Sequence, residues 1–154
     1  MIPRNRDRVT DDWTEEDRSW LTALIDGKGC IGIHKHVTAG CILRVAIGMT
    51  DETIIRRIHE VAGVGRVSLE RRATRDLWRW SVECEKALDL LKRVRPYLVR
   101  KKENVHIAEA LYKHGITRGS KKAGTPPEVM KVRWACYEAM KRLNRRGVAA
   151  FRSV

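Results

Sequence analysis

Leu21-Thr22-Ala23-Leu24-Ile25-Asp26-Gly27-Lys28-Gly29 runs from an apolar helical pattern into two glycines, and the alternating stretch Cys30-Ile31-Gly32-Ile33-His34-Lys35 follows without a spacer. Upstream, Thr14 is positioned to cap a helix whose first turn carries Glu15, Glu16 and Asp17, acids that suit the positive end of the helix dipole. Trp20, Leu21, Leu24 and Ile25 recur at helical spacing. Small Ala23 lies among them, where it lets a second helix approach closely. Gly27 and Gly29 are expected to end the helix, so that a strand begins at once.

Outward from that junction the chain alternates with period two. Ile31 and Ile33 face one side of the first strand, and Cys30, Gly32, His34 and His36 face the other. Val37-Thr38-Ala39-Gly40 reads as a turn. Leu43, Val45, Ile47 and Met49 then point inward from the next strand, with Ile42, Arg44, Ala46 and Gly48 outward. Thr50-Asp51-Glu52-Thr53 opens a helix buried through Ile54, Ile55, Ile58 and Val61, and Gly63-Val64-Gly65 stops it. In a second hairpin Val67, Leu69, Trp78, Trp80 and Val82 point inward, while Arg66, Ser68, Glu70, Arg79 and Ser81 point outward. Helices are expected over 85–94, 100–114 and 127–143. Pro96 separates the first two, and a Gly/Lys/Pro-rich loop precedes the third. Within that loop Gly119-Ser120-Lys121-Lys122 is a basic segment suited to touching phosphate. The order makes an α+β domain over 13–147, with a mobile N-terminal arm over 1–12 and a short C-terminal tail over 148–154.

With 154 residues and 43% hydrophobic content, one domain can bury a real core. Thirty-two Lys and Arg against 19 Asp and Glu leave a net charge of +13, which calls for a polyanionic partner. Nucleic acid comes before an acidic membrane. No apolar run approaches the roughly 18 residues of a bilayer span, so no membrane role is expected. Residues Met1 to Arg8 lack the apolar stretch of a secretory signal. Cys30, Cys41, Cys84 and Cys136 form no C-x-x-C pair and suit no zinc site; they are expected as reduced, mostly core thiols of an intracellular, reducing compartment. His34 and His36 share a strand face, where contact with DNA or plain exposure suits them better than a metal pair.

Residues 21–29 resemble the signature of the LAGLIDADG homing endonucleases. The likeness extends from about Trp13 to Leu143 and includes Gly63-Val64-Gly65-Arg66-Val67 and Trp78-Arg79-Trp80-Ser81-Val82. It also includes Leu90-Leu91-Lys92 with Pro96-Tyr97-Leu98-Val99-Arg100-Lys101-Lys102, and the ending Leu143-Asn144-Arg145-Arg146-Gly147. The resemblance implies an αββαββα core with a four-stranded antiparallel saddle sheet and an extra C-terminal helix. A single signature implies a homodimer that packs one signature helix on the other through Leu21, Ala23, Leu24 and Gly27. The implied partner is double-stranded DNA with a pseudo-palindromic target of about two turns, since target symmetry mirrors protein symmetry. A β-ribbon fits the major groove, and His34, His36, Arg44, Arg66, Ser68, Glu70, Arg72 and Arg79 offer hydrogen-bonding groups to base edges and phosphates.

The implied activity is phosphodiester hydrolysis dependent on Mg2+, a hard cation held by carboxylates. The resemblance places the metal-binding acid at the penultimate signature position, which here is Lys28. An ammonium has no lone pair for a metal and repels it, so no metal is expected at Lys28. Asp26 belongs to the signature but is not the implied ligand. Lys101 matches the family's basic residue after the Pro-aromatic-Leu turn, which would stabilise charge or orient water. Asp51 either joins the implied water network or caps the following helix. Two accounts remain: a nuclease that binds its site without cutting, which Lys28 favours, or one in which a neighbouring carboxylate takes over. A non-cleaving repressor or intron-RNA-binding maturase on the same scaffold is the alternative. A basic ribosome-associated module is disfavoured by the signature helix.

Overall fold

The computed structural model describes residues 9, 12–37, 40–115 and 124–152, with side chains through Arg145. Helix α1 spans Glu15–Lys28, and the Thr14 hydroxyl accepts from the Asp17 amide at 3.1 Å. Its C-terminus closes where the Gly29 amide donates to the carbonyls of Leu24 and Ile25. A Cβ on Gly29 would sit 2.6 Å from the Ile25 carbonyl oxygen, so the turn from helix to strand admits only glycine. Gly27 lies inside the last helical turn and does not end the helix as expected; the break belongs to Gly29 alone.

Strands β1 (Gly29–His36), β2 (Gly40–Met49), β3 (Arg66–Glu70) and β4 (Leu77–Glu83) form one antiparallel sheet in the order β1-β2-β4-β3. Ile31, Val45 and Val82 lie across from one another in register, as do Ile47, Trp80 and Val67. This row is the sheet's inner face, and it joins the buried cluster of Leu21, Ile25, Ile55, Ile58, Leu91 and Val105. Buried Trp80 donates from its indole nitrogen to the Val64 carbonyl at 3.0 Å. Gly65 crosses directly over it with φ +91, where a Cβ would stand 2.6 Å from the indole nitrogen. Leu69, expected inward, is 36% exposed near the end of the short edge strand β3.

Helix α2 spans Glu52–Ala62 and α3 spans Cys84–Val94. A 3₁₀ turn over Arg95–Tyr97 leads to α4 (Lys102–Ala110), which widens into a π turn at Leu111–Gly115 instead of continuing evenly to His114. Helix α5 covers Pro127–Arg152, well past the expected Leu143, so the segment read as a C-terminal tail is helical through Arg152. Asn144 ties α5 to the sheet: its Nδ2 donates to the Ile31 carbonyl at 3.1 Å, and its Oδ1 accepts from Asn104 at 3.0 Å. From the expected arm, Val9 is 2% exposed and packs in the core; residues 1–8, 10 and 11 lie outside the described residues, as does Gly119-Ser120-Lys121-Lys122. All four thiols are free, but only Cys41 and Cys136 are buried; Cys30 and Cys84 are exposed, contrary to a mostly core placement. Among the described residues no helix is long and apolar enough to cross a membrane.

Candidate nucleic-acid interface and signature-helix foot

Residues directly opposite one another in an antiparallel ladder share a face, so the register decides which expected contacts stand together. Cys30, Ala46, Ser81 and Arg66 form one outward row; Gly48, Arg79 and Ser68 form another. Arg44 lies between Gly32 and Glu83, His34 faces Ile42, and Glu70 faces Leu77. His34, Arg44, Arg66, Ser68, Glu70 and Arg79 therefore share the outer face, with His36 at the end of β1 and Arg72 just beyond β3.

Carboxylates hold Arg44, Arg72 and Arg79. Arg44 donates from Nε to Glu83 Oε1 at 2.7 Å, and its Nη2 reaches the same oxygen at 2.5 Å. Glu70 accepts from Arg72 Nε at 3.0 Å and from Arg79 Nη2 at 3.2 Å. The Arg72 hydrogen bond, ahead of the other contributions, holds the Glu70 carboxyl below its ordinary pKa. A guanidinium fixed on one edge by a carboxylate presents its remaining N–H groups in a defined direction, which suits bidentate recognition of guanine. Glu83 was missing from the expected set. It continues the alternation of Arg79 and Ser81, so its orientation was legible in the sequence. Leu77 also lies on this face, its side chain 3.2 Å from where a Gly48 Cβ would stand.

Burial, followed by the Arg44 charge, pushes the His34 pKa below its ordinary value, while Glu83 pulls the other way. The unfolded chain then binds the proton more readily than the native one. Native stability is full above the unfolded value of about 6.5 and falls as pH drops through the lowered native value. His34→Gln is expected to flatten the loss of stability that sets in as pH falls below about 6.5, read in denaturant titrations. A parallel curve for the variant would contradict it.

At the foot of α1 the structure redistributes the expected roles. Lys28 is exposed in the last helical position. Asp26 accepts three backbone amides: Val99 at 2.7 Å, Arg100 at 3.1 Å and Lys101 at 3.0 Å. Lys101 is held against the backbone of the helix end. Its ammonium donates to the carbonyls of Ile25 at 2.8 Å, Asp26 at 3.0 Å and Gly29. An ammonium has three N–H groups, so these acceptors use all of them. Lys101 thus closes the carbonyl end of α1, where a cation also suits the dipole. Burial and then the Arg100 charge push its pKa below the ordinary lysine value. Asp51 takes the capping role, accepting from Thr53 at 2.9 Å and Ile54 at 3.3 Å.

These residues do not fit a divalent cation. Asp26, two residues before Lys28, is committed to amides, and the two lysines bring positive charge. Among the described residues no group of three or more His, Cys, Asp or Glu is placed to hold a metal. Asp26→Ala removes three amide hydrogen bonds to a carboxylate, so a loss of about 1.5–3 kcal/mol is expected. In a chain of this size that lowers Tm by roughly 5–10 °C. A shift below a degree in calorimetry would show the loop holds without it.

One expected dimer residue is misplaced. Leu21 is 0% exposed within the single subunit and belongs to its core, because it lies on the side of α1 that meets the sheet. Ala23 and Gly27 are exposed and Leu24 is half-buried. Ser19, also exposed, extends them into a stripe of small residues four apart along the helix. A Cβ on Gly27 would meet nothing within 4 Å.

Helices packed on one face of a β1-β2-β4-β3 sheet, with a polar outer face and a helix running into β1, define the LAGLIDADG homing endonuclease fold. The homing endonuclease I-CvuI, solved in complex with the I-CreI target, is similar over 84% of this chain and 85% of its own, at 18% identity and a TM-score of 0.67. I-TnaI, also a homing endonuclease, matches 84% of this chain and 96% of its own at 16% identity and a TM-score of 0.51. The LAGLIDADG meganuclease I-AabMI, bound to uncleaved DNA, is 23% identical over 62% of this chain and 36% of its own, with a TM-score of 0.53. No protein-family model and no curated protein matches the sequence.

Proposed function

We propose that the chain binds double-stranded DNA sequence-specifically as a homodimer, and that Lys28 leaves it without the cleavage its scaffold suggests. The outer sheet face carries the reading: arginines oriented by Glu70 and Glu83 stand where a β-ribbon meets base edges. The net charge of +13 favours the same partner, and similar structures such as that of I-CvuI hold target DNA. The exposed Ser19, Ala23 and Gly27 stripe supports contact between two α1 helices, because small residues admit close backbone approach. Two Lys28 ammoniums near the resulting two-fold axis would neutralise phosphate charge, so binding survives without Mg2+. The four free thiols are in keeping with work inside a reducing compartment. A repressor would use the same surface; a maturase would apply it to intron RNA.

Selection of bound duplexes from a random pool tests this reading. The expected result is a nearly palindromic site of about two helical turns, bound but uncut in Mg2+ or Mn2+. An enriched site without two-fold symmetry, or no enrichment, would remove the dimeric reading. Cleavage by the unchanged chain that EDTA abolishes would refute the role given to Lys28.

A further inference from the structure

We propose that the exposed side of α5 is a second nucleic-acid surface, which takes an unpaired single strand on the side of the sheet away from the outer face. Lys35 pairs with Cys41, whose buried thiol meets the Arg133 carbonyl of α5 at 3.8 Å, so Lys35 lies on the helix-covered side. Its ammonium sits 5.1 Å from the centroid of the Trp134 ring and 4.9 Å from that of Tyr137. The two rings are perpendicular, 6.1 Å apart, and Lys141 stands 5.6 Å from the Tyr137 ring. Trp134 is 37% exposed and does not belong to the apolar cluster of the core. One turn before it Lys131 is exposed; Glu138 is the acid on the following turn.

This surface therefore combines an accessible indole, held in place by its neighbours, with ammoniums from β1 and α5. Phosphates would neutralise the charge. An aromatic face offers stacking to bases, and only an unpaired strand exposes base faces to stack. A duplex hides them and would gain from the lysines alone. Acidic proteins and membranes would use the charge but leave the ring orientation without a purpose. The site goes beyond the duplex-binding reading and stands without it, because none of its residues lies on the outer sheet face.

The test uses the full chain with fluorescently labelled oligouridylate and oligodeoxythymidylate, read by anisotropy. Trp134→Leu is expected to weaken binding of the single strands about tenfold, on the order of the loss of one stacked base. Trp134→Phe keeps a ring and is expected to stay near the unchanged chain, which separates loss of stacking from loss of fold. Binding of random-sequence duplex is expected to be equal in all three. Similar affinity for both oligonucleotides marks recognition by base faces and phosphates, and preference for the ribose strand marks added contact to the 2′-hydroxyl; either supports the proposal. It is overturned if the unchanged chain fails to bind either strand, if Trp134→Leu binds as well as Trp134→Phe, or if excess duplex displaces the strand completely. Failure of duplex selection together with retained, Trp134-dependent strand binding would sink the earlier reading and leave this one.

Discussion

Lys28→Glu is expected to turn the duplex binding without cleavage proposed for this chain into cutting of both strands of its site in Mg2+. Lys28 is exposed in the last turn of α1 and takes no part in the core, so the change leaves the fold in place. An acid at a helix C-terminus costs roughly 0.3–1 kcal/mol against the dipole, and Lys101 still closes the carbonyls beside it. What changes is the chemistry at the helix foot: an ammonium that repels a divalent cation gives way to a hard oxygen donor in each subunit. Such donors allow several kcal/mol of charge stabilisation at a phosphodiester, so a gain of at least about a thousandfold over the unchanged chain is expected. The measurement is strand cleavage of a selected site, with Ca2+ or EDTA as controls. An inert Lys28→Glu variant that still binds the site would falsify the claim that this residue alone removes activity.

Gly27→Leu is expected to separate the proposed homodimer while leaving each subunit folded. A Cβ at this position meets nothing within 4 Å, so the subunit has room for a side chain. Leucine also favours a helix over glycine by about 0.8–1 kcal/mol, which would hold or raise the Tm of an isolated subunit. Between two closely packed helices the same side chain has no space. Sedimentation should then report monomers, and affinity for a palindromic duplex should fall on the order of a hundredfold or more, because half the phosphate contacts are lost. A chain that is monomeric from the start would gain stability from the substitution, whereas a dimer packed through this stripe would lose it. A dimer still intact in the variant, or a variant with unchanged duplex affinity, would rule out packing through this stripe.

Much of the fold was legible because strands and helix caps are local. Alternation from Cys30 to Met49, from Arg66 to Glu70 and from Trp78 to Val82 divided the inner and outer faces as the register has them, since side chains two apart share a face whatever the rest of the chain does. Thr14 and Asp51 cap the helices they precede, through amides two or three residues away. The end of α5 was misjudged for a similar local reason. A single glycine such as Gly147 costs a helix only about 1 kcal/mol, too little to stop a helix already anchored through Asn144.

The helix foot was less legible. Helical periodicity gives the angles between residues around an axis but not which side meets the subunit's own sheet, so Leu21 and Ala23 looked alike until packing put one inside and one outside. The sequence by itself determined the sheet pattern, the charge and the presence of a lysine where the signature resemblance expects an acid. Only the tertiary structure decided that Asp26 and Lys101 act as clasps across the chain. Those contacts join residues more than seventy positions apart, and no spacing rule reaches that far because the intervening chain must fold before the groups can meet.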